Sequence, residues 1–437
     1  MTPIPTPQQL RWQAAQFGLF CHFGINTFHN KEWSAGQLHP ATFNPKRFDA
    51  AQWVDVAQRA GAKYLILTAK HHDGFCLWPT ETTEYSIRHS PRQIDIVGEV
   101  ARACAEAGIH FGLYLSPWDR NSPVYGDKAA YDRFYIAQMT ELCTRYGELF
   151  EIWLDGAGSE NRVYDWDGIM DVIARHQPNA MIFNMGRPTI RWAGNEDGLA
   201  DDPCLYAVSQ TAVSAFSGTQ ETVNNYPIYL PPECDVAIRQ HWFWQDDDLA
   251  TLKSIEHLLG IYYRSVGYGA NLLLNLGPNR DGLLDEHDVH NLLSLRTELN
   301  HRFQSPLEAQ LRRTSNGYSL EFARPVTLDH LVFCESLTEG QQINGYSVLG
   351  ENGQEITSGV TVGQQKWHAF PSVTPQRLEV RFSSTCERGA TLQSATAYMT
   401  GHTTFPPLGG HLDYNQWSLK ADARDCTLQP WRLPVVA

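Results

Sequence analysis

The sequence predicts an α/β protein in which a (β/α)8-type barrel over residues 1–305 precedes a C-terminal antiparallel β-sandwich over residues 306–437. Two observations favour this fold class. The longer, amino-terminal part alternates short, continuously apolar segments with helical patterns, as parallel strands do when helices cover their outer face. Beyond residue 306 the helical patterns give way to short segments separated by turn residues, which is typical of antiparallel sheets.

The repeating unit is clearest in three predicted helices that end at a glycine and lead into an apolar strand. The helices cover 46–60, a segment around 97–104 and about 127–146, and they end at Gly61, Gly108 and Gly147. Glycine adopts the left-handed conformation that often terminates a helix. The glycines are 47 and 39 residues apart (108 − 61 and 147 − 108), which is the length of a βα unit with generous loops.

Counting all apolar segments gives about eight strands. They cover 17–22, 64–68, 111–115, 149–154, 180–183, 205–208, 235–241 and 272–276, and 235–241 has the weakest pattern. Eight βα units favour a closed barrel, which typically has about 250 residues. A doubly wound open sheet is the alternative, but no GxGxxG motif follows the first strand.

The carboxy-terminal part contains segments typical of antiparallel strands. They cover 328–333, 346–349, 377–382 and 395–399. The segment 377–382 alternates strictly between polar and apolar residues, as expected of a strand with one face in water. We expect this β-sandwich to pack against the barrel, and sugar binding by it stays open.

Composition excludes several classes of partner. The 437 residues carry a formal net charge of −14 without a basic cluster, which argues against nucleic acid and anionic membranes as partners. No apolar segment approaches the ~20 residues of a transmembrane helix. The first residues lack the features of a signal peptide, so we expect a cytoplasmic protein, or a periplasmic or secreted one with its signal missing. The nine scattered cysteines form no CxxC pair, which predicts reduced thiols.

Polar and aromatic side chains concentrate where the predicted strands end. In a barrel, the carboxyl ends of the strands carry the chemistry. These ends supply His22, Glu32 and Trp33, His71 and His72, Tyr114 and Trp118, Asp155, Glu196, Glu233, and Trp242. Tryptophan faces stack on the C–H patches of sugars, and paired carboxyl groups cleave glycosidic bonds. The mixture therefore predicts a carbohydrate site.

Other interpretations of the same residues remain open. His71, His72 and Asp73 resemble a zinc site in composition, but adjacent histidines on an extended segment point to opposite faces and no HxH spacing is present. We therefore expect neither a metal nor a cofactor. His22 is also compatible with a buried barrel histidine and Tyr114 with a core aromatic.

Five segments together resemble glycoside hydrolase family 29, the α-L-fucosidases. In chain order they are 22–28 with Glu32 and Trp33, 70–75, 112–118, 153–156 and 271–278. The segment 191–196, RWAGNE, is similar to the branch of the family that prefers α-1,3/1,4-linked fucose in branched, Lewis-type glycans. Members of that branch pair such a barrel with a C-terminal β-sandwich, in agreement with the change near residue 306.

The resemblance implies a role for each residue. Asp155 matches the family's nucleophile, and Glu196 matches the acid/base of the α-1,3/1,4 branch, with Glu233 as its rival. Residues implied to bind the sugar are His22, Glu32, Trp33, His71, His72, Tyr114 and Trp242.

The implied enzyme is a retaining exo-α-L-fucosidase that acts on fucosylated oligosaccharides or glycoconjugates. Its two carboxyl groups should lie about 5–5.5 Å apart. The nucleophile should lie near histidine, and the acid near a second carboxylate or in a drier environment.

Three alternatives stay open. A non-catalytic glycan-binding protein could use the same scaffold, because fold alone does not decide function. A metal-dependent barrel hydrolase would use His22, His71 and Asp155. Transfer of fucose to a sugar acceptor would use the same covalent intermediate as hydrolysis.

Overall fold

The structure is a computed structural model that describes residues 2–159, 162–212, 220–386, 388–409, 429 and 431–433. Its largest element is an eight-stranded sheet. The strands of this sheet are β1 (Phe17–Cys21), β2 (Tyr64–Lys70), β3 (His110–Leu115), β4 (Glu151–Trp153), β5 (Met181–Phe183), β6 (Arg191–Trp192), β11 (Pro232–Ala237) and β12 (Asn271–Asn275). Neighbouring strands of this sheet pair in parallel.

The strand order is that of a barrel. It runs β5-β4-β3-β2-β1-β12-β11-β6, so the first strand pairs with both the second and the last. A parallel bridge between Phe183 and Ile190 joins the two edges, at β5 and just before β6. The predicted (β/α)8-type barrel is confirmed, and the open-sheet alternative is wrong.

Helices pack against the sheet, and Trp12 of the first helix reaches the cluster of side chains inside the barrel. They are α1 (Pro7–Ala15), α2 (Ala50–Ala60), α3 (Ile96–Ala107), α4 (Lys128–Arg145), α5 (Trp166–His176), α6 (Ile255–Arg264) and α7 (Glu286–Phe303). Short 3-10 helices cover Ile25–His29, Pro40–Thr42, Ile87–His89, Leu249–Thr251 and Val266–Tyr268. Helix α2 begins four residues later than predicted, because the Asp49 carboxylate accepts the N–H groups of Ala51 and Gln52 and so caps the helix there.

Two of the predicted barrel strands are corrected by the structure. The segment 205–208 lies outside the barrel, where β7 (Ala207–Val208) pairs with β10 (Ile228–Tyr229). The sixth barrel strand is instead β6, whose two residues are too few to form an apolar pattern. The seventh strand, β11, begins three residues before the predicted 235–241. The prediction begins too late because two buried acidic residues, Glu233 and Asp235, interrupt the apolar pattern of the sequence.

The antiparallel part forms two further sheets around a separate core. One contains β13 (Gln310–Thr314), β14 (Gly317–Glu321), β16 (Tyr346–Leu349), β17 (Glu355–Gly359) and β19 (Arg377–Phe382); the other contains β15 (Leu328–Glu335), β18 (Lys366–Val373) and β20 (Leu392–Tyr398). Phe333 and Val380, one from each sheet, lie in one hydrophobic cluster between them. The predicted C-terminal β-sandwich is confirmed, and the predicted division at residue 306 falls between α7 and β13.

A small hairpin, β8 (Gln210–Ala212) with β9 (Gln220–Thr222), follows β7. Among the described residues, no helix is both long and apolar enough to cross a membrane.

Candidate active site

The predicted site residues meet at the end of the barrel where the parallel strands end, which we call the carboxyl-terminal rim. His22 directly follows β1, His71 and His72 follow β2, and Asp155 lies two residues beyond β4. Glu196 lies four residues beyond β6. Because these strands are parallel, the side chains that follow them are brought to the same end of the barrel.

Asp155 is surrounded by hydrogen-bond donors. Tyr114 donates its hydroxyl to Asp155 Oδ2 over 3.1 Å, and the Ala157 N–H donates to Oδ1 over 2.8 Å. His72 Nε2 lies 3.5 Å from Oδ2. Burial acts to raise the pKa of Asp155, but His72 and the other donors outweigh it and lower the pKa below its ordinary value. The group is thus an ionised carboxylate at neutral pH.

The orientation of His72 is fixed from its other nitrogen. His72 Nδ1 lies 2.7 Å from Ser116 Oγ, and the Ser116 hydroxyl donates to the Trp118 carbonyl over 2.6 Å. Because the single hydroxyl hydrogen is used there, Ser116 Oγ accepts from His72 Nδ1–H. His72 Nε2 is thereby directed at the Asp155 carboxylate.

Glu196 lies on a loop whose shape is set by its own residues. The side-chain oxygen of Asn195 accepts the N–H groups of Asp197 and Leu199, over 3.1 and 3.2 Å. Asp197 pairs with Val236 of β11 in an antiparallel bridge, which ties the loop to the barrel. Gly194 has a φ of +95°, a value that side chains disfavour, so glycine permits the turn before Glu196.

The pKa of Glu196 moves in the direction opposite to that of Asp155. Burial and the negative charge of Asp155 raise it to about 8, with Glu32 and Asp197 adding to the effect. A hydrogen bond from the Trp242 side chain opposes the rise. Glu196 is therefore a protonated carboxylic acid at neutral pH, beside an ionised carboxylate.

Trp242 connects Glu196 with the opposite side of the site. Its backbone N–H lies 3.2 Å from Glu32 Oε2, and its carbonyl accepts from Asn275 Nδ2 over 2.8 Å. Its ring centroid lies 5.0 Å from that of His22. Glu32 is 2% exposed and is thus part of the site interior.

His22 and His71 are neutral imidazoles. His22 Nδ1 lies 2.9 Å from Asn275 Oδ1, and desolvation lowers the pKa of His22 to about 3. Burial and the neighbouring histidines lower the pKa of His71 well below its ordinary value. His71 stacks on Tyr114 at a centroid distance of 5.6 Å, and its Nδ1 has no hydrogen-bond partner among the described residues.

Aromatic rings border the site near His72. The Trp33 and Trp118 centroids lie 5.7 and 5.1 Å from the His72 ring. With the contacts above, the structure brings together all nine residues of the predicted site: Asp155, Glu196, His22, Glu32, Trp33, His71, His72, Tyr114 and Trp242.

Glu233 lies elsewhere. It is the second residue of β11 and pairs with Asn271, the first residue of β12, so it lies at the amino-terminal end of the barrel. It is fully buried and accepts hydrogen bonds from the Tyr64 hydroxyl and the Trp153 indole, over 2.7 and 3.0 Å. Glu233 thus lies among buried side chains toward the amino-terminal end of the barrel, whereas Asp155 and Glu196 follow their strands at the carboxyl-terminal rim.

Three further residues shape the site beyond the predicted set. Asn275 links His22 to Trp242, Ser116 orients His72, and the Phe243 N–H lies 3.4 Å from Glu32 Oε2. Asn275 carried a usable signal, because it ends the last barrel strand. The contacts of Ser116 and Phe243 depend on loop conformation, which the sequence pattern does not define.

Within the described ranges, no three His, Cys, Asp or Glu side chains are grouped as metal ligands. The eight cysteines in those ranges are free, and Cys426 lies outside the described residues.

The site combines a carboxylate, a carboxylic acid, neutral imidazoles and aromatic rings at the rim of a barrel. Opposed pKa shifts in a carboxyl pair separate the roles of nucleophile and acid, as in enzymes that cleave glycosides. The class of protein that fold and site define is a glycoside hydrolase.

Comparisons with known proteins identify the family. A family model described as alpha-L-fucosidase matches residues 5–300. Alpha-L-fucosidase 1 of Arabidopsis thaliana is 44% identical over 424 residues, covering 86% of this chain and 83% of the relative. The rice relative, described as a candidate alpha-L-fucosidase 1 of Oryza sativa subsp. japonica, is 43% identical, covering 86% and 82%.

Solved structures agree with these relatives. A glycoside hydrolase 29 family member from an unknown rumen bacterium has a TM-score of 0.82 and 31% identity, covering 94% of this chain and 79% of that one. A Ruminococcus gnavus family 29 fucosidase in complex with fucose has a TM-score of 0.80 and 28% identity, covering 91% and 95%. The chain belongs to the α-L-fucosidase family, glycoside hydrolase family 29, and is an α-L-fucosidase.

Proposed function

We propose that this α-L-fucosidase removes terminal α-1,3/1,4-linked fucose from branched, Lewis-type glycans with retention of configuration. Asp155 is the nucleophile and Glu196 the acid/base in this proposal. The observation that carries the mechanism is the opposite direction of their pKa shifts at one rim: that of Asp155 is lowered, and that of Glu196 is raised to about 8.

The reaction has two steps. First, Asp155 attacks the anomeric carbon while Glu196 gives its proton to the departing glycosidic oxygen, which leaves fucose covalently bound to the carboxylate. Then Glu196, now ionised, takes a proton from water, and the water oxygen displaces Asp155 from the anomeric carbon. Glu196 regains its proton and Asp155 its charge. The two inversions give net retention.

The neutral histidines are suited to binding fucose hydroxyls. Asn275 Nδ2 donates to Trp242, so Asn275 Oδ1 must accept from His22 Nδ1–H. His22 Nε2 then carries a lone pair for a sugar hydroxyl. The His71 Nδ1 without a partner among the described residues offers a second position, since a buried polar atom left unpaired is costly. A hydroxyl of the substrate would pair it.

The linkage preference rests on the loop that carries Glu196. This loop, 193–199, follows the short strand β6 and is shaped by Asn195, in the segment whose sequence resembles the α-1,3/1,4 branch. An acid on this loop faces the leaving group, which is the part of the substrate that differs between linkages.

One measurement tests both parts of the proposal. The protein is incubated with a Lewis a trisaccharide, and the first fucose released is followed by proton NMR. A trisaccharide in which fucose is α-1,2-linked is the matched control. We expect early α-fucose from Lewis a and far slower release from the control.

Other outcomes contradict separate parts of the proposal. Early β-fucose would exclude Asp155 as nucleophile, because a single displacement inverts the anomeric carbon. Equal rates on both substrates would exclude the linkage preference while leaving retention intact. Release from neither would contradict the proposal and favour glycan binding without catalysis.

A further inference from the structure

A buried arginine holds the loop that brings Trp242 to Glu196. The loop begins after β11 and returns through Asp248 before α6. Arg239, 4% exposed, lies at its start, three residues before Trp242. It lies outside the group of side chains that surround Asp155 and Glu196, and the proposed reaction gives it no role.

Arg239 contacts three carboxylates on two segments of chain. Its Nε donates to Asp288 Oδ1 and its Nη1 to Asp248 Oδ1, each over 2.8 Å. Its Nη2 lies 3.2 Å from Asp285 Oδ1. Asp248 closes the same loop, whereas Asp285 and Asp288 lie at the start of α7. The guanidinium therefore joins both ends of the loop to the barrel's last helix.

The loop between Arg239 and Asp248 is also fixed against β12. Adding a Cβ to Gly277, just beyond β12, would place it 2.7 Å from the Trp244 nitrogen and 2.8 Å from the Trp242 carbonyl oxygen. Trp244 in turn donates its indole N–H to Asp285 over 3.0 Å. The backbone around Trp242 thus has little freedom to move while the ion pairs are intact.

Trp242 links this fixed loop to the carboxyl groups of the active site. Its indole bonds Glu196, and its backbone N–H meets Glu32. Among the described residues, the carboxylates that the Arg239 guanidinium contacts are Asp248, Asp285 and Asp288, and neither Glu196 nor Glu32 is one of them. Its effect on Glu196 must therefore act through the loop.

We propose that Arg239 is a positioning residue for acid catalysis, because its three ion pairs fix the loop through which Trp242 orients the Glu196 carboxyl group. The inference rests on the proposed role of Glu196. Its consequence concerns the leaving group, since only a poor leaving group needs a proton from a well-placed acid.

The test compares two substrates in the variant Arg239→Lys. Lysine keeps the positive charge but cannot pair three carboxylates with a planar fork. For the Lewis a trisaccharide, whose leaving group is a sugar, we expect kcat/KM to fall by about 10- to 100-fold, the scale of a misplaced catalytic group. For an α-L-fucoside of 2-chloro-4-nitrophenol, whose leaving group departs without a proton, we expect a far smaller fall.

A pH profile gives an independent readout. The charges of Asp155, Glu32 and Asp197 raise the pKa of Glu196, and the Trp242 hydrogen bond lowers it. Asp235 also faces Glu196, and the charge of Glu196 helps to raise the pKa of Asp235. Arg239→Lys keeps the charge at position 239 but should weaken the Trp242 hydrogen bond, so the pKa of Glu196 should rise. The alkaline limb of the kcat/KM profile should then move to higher pH. A loss of stability alone would not move it.

Arg302→Lys is the matched control. Arg302 is also buried, and it bonds Glu298 and the Tyr263 hydroxyl on α7 and α6, outside the site. We expect this variant to lose stability without changing the ratio of the two substrates. If Arg239→Lys does not fold, Asp288→Asn removes one of the three charges and should shift the ratio in the same direction.

The outcomes separate this inference from the proposed function. Glu196→Gln is measured first on both substrates. If it shows no dependence on the leaving group, the proposed function fails and this inference with it. A second outcome concerns Arg239 alone. Suppose that Glu196→Gln shows the dependence on the leaving group. If Arg239→Lys or Asp288→Asn then lowers kcat/KM equally for both substrates and leaves the alkaline limb where it was, the role of Arg239 is overturned.

Discussion

A carboxyl pair at the carboxyl-terminal rim of the barrel can be compared with one at the amino-terminal end, and the two pairs differ in the direction of their pKa shifts. At the carboxyl-terminal rim, the pKa of Asp155 is lowered and that of Glu196 raised. At the amino-terminal end, Glu151 and Glu233 are fully buried, and the pKa of each is raised. Proximity of two carboxyl groups is common to both pairs, so proximity alone does not mark a catalytic pair.

The surroundings explain the difference. Asp155 accepts hydrogen bonds from a histidine, a tyrosine hydroxyl and a backbone N–H, while Glu196 accepts one from the Trp242 indole. Glu151 and Glu233 bond each other and also receive neutral donors, from Trp12 to Glu151 and from Tyr64 and Trp153 to Glu233. The rim pair, Asp155 and Glu196, therefore consists of one ionised carboxylate and one carboxylic acid. The inner pair, Glu151 and Glu233, shares a proton between two similar glutamates away from the site.

The largest expected effect belongs to Asp155. Replacing it in Asp155→Gly should lower kcat by ~10⁴-fold, because the proposed nucleophile is lost. Azide should then restore turnover and give β-fucosyl azide, since it attacks from the side that Asp155 occupied. Mass spectrometry and NMR of the product check this. α-Fucosyl azide would instead place Asp155 in the acid/base role.

Glu196 comes next. Glu196→Gln should lower kcat/KM on the trisaccharide by ~10²–10⁴-fold, the contribution of a general acid. In the unaltered enzyme, activity should fall as pH rises through about 8, because Glu196 loses its proton there. The variant should lack this alkaline limb. A limb that persists in Glu196→Gln would assign the titration to another group.

The variant Ser116→Ala tests whether the orientation of His72 supports the function of Asp155. Ser116→Ala removes the acceptor of His72 Nδ1–H and should lower kcat by about fivefold, equivalent to one hydrogen bond of about 1 kcal/mol. Ser90→Ala is the control, because Ser90 is also buried but bonds Ile87 and Arg92 outside the site. Equal losses in the two variants would remove His72 orientation as the cause.

The inner pair should leave activity unchanged. Glu151→Gln keeps a neutral donor facing Glu233, so we expect kcat within about twofold of the unaltered enzyme, as for a substitution that breaks no site contact. Stability should respond to pH instead. The pKa of Glu151 is raised above 4.5 in the fold, so the folded state retains a proton that the unfolded state releases. Stability is therefore lost as pH rises above about 4.5.

In Glu151→Gln this loss is removed. The melting temperature of the variant should exceed that of the unaltered enzyme at pH 8 by about 2 °C or more, and the difference should vanish near pH 5. Thermal unfolding at both values measures it. A variant that is less stable at pH 8 would show that Glu151 is ionised in the fold.

The sequence predicts much of the rim but little of the interior. His71 and Asp155 are predicted to lie at the rim because they follow continuously apolar segments of the sequence, and strand order then brings them to the same end of the barrel. Strand β6 is not predicted from the sequence, because two residues are too few to show a periodicity. Glu233 was expected near the rim, because its strand was predicted to begin three residues too late.

The electrostatic difference between the carboxyl pairs was predictable only in outline. That Asp155 should lie near histidine and Glu196 near a second carboxylate followed from the proposed chemistry. The contribution of Trp242 to Glu196 did not, because it depends on a loop fixed by Arg239 and by residues of α7. Such long-range contacts leave no local pattern in the sequence.

The strand order also divides the active site for protein engineering. Asp155 follows β4, Tyr114 lies in β3, His71 and His72 follow β2, His22 follows β1, and Asn275 ends β12; these five strands are consecutive neighbours in the sheet. Glu196 follows β6, at the edge where the bridge between Phe183 and Ile190 closes the sheet. Libraries confined to 193–199 would therefore vary the segment that carries the proposed acid/base, while the five strands that carry the proposed nucleophile and most of the proposed sugar-binding residues stay unchanged. That makes this edge the place to evolve fucosyl transfer.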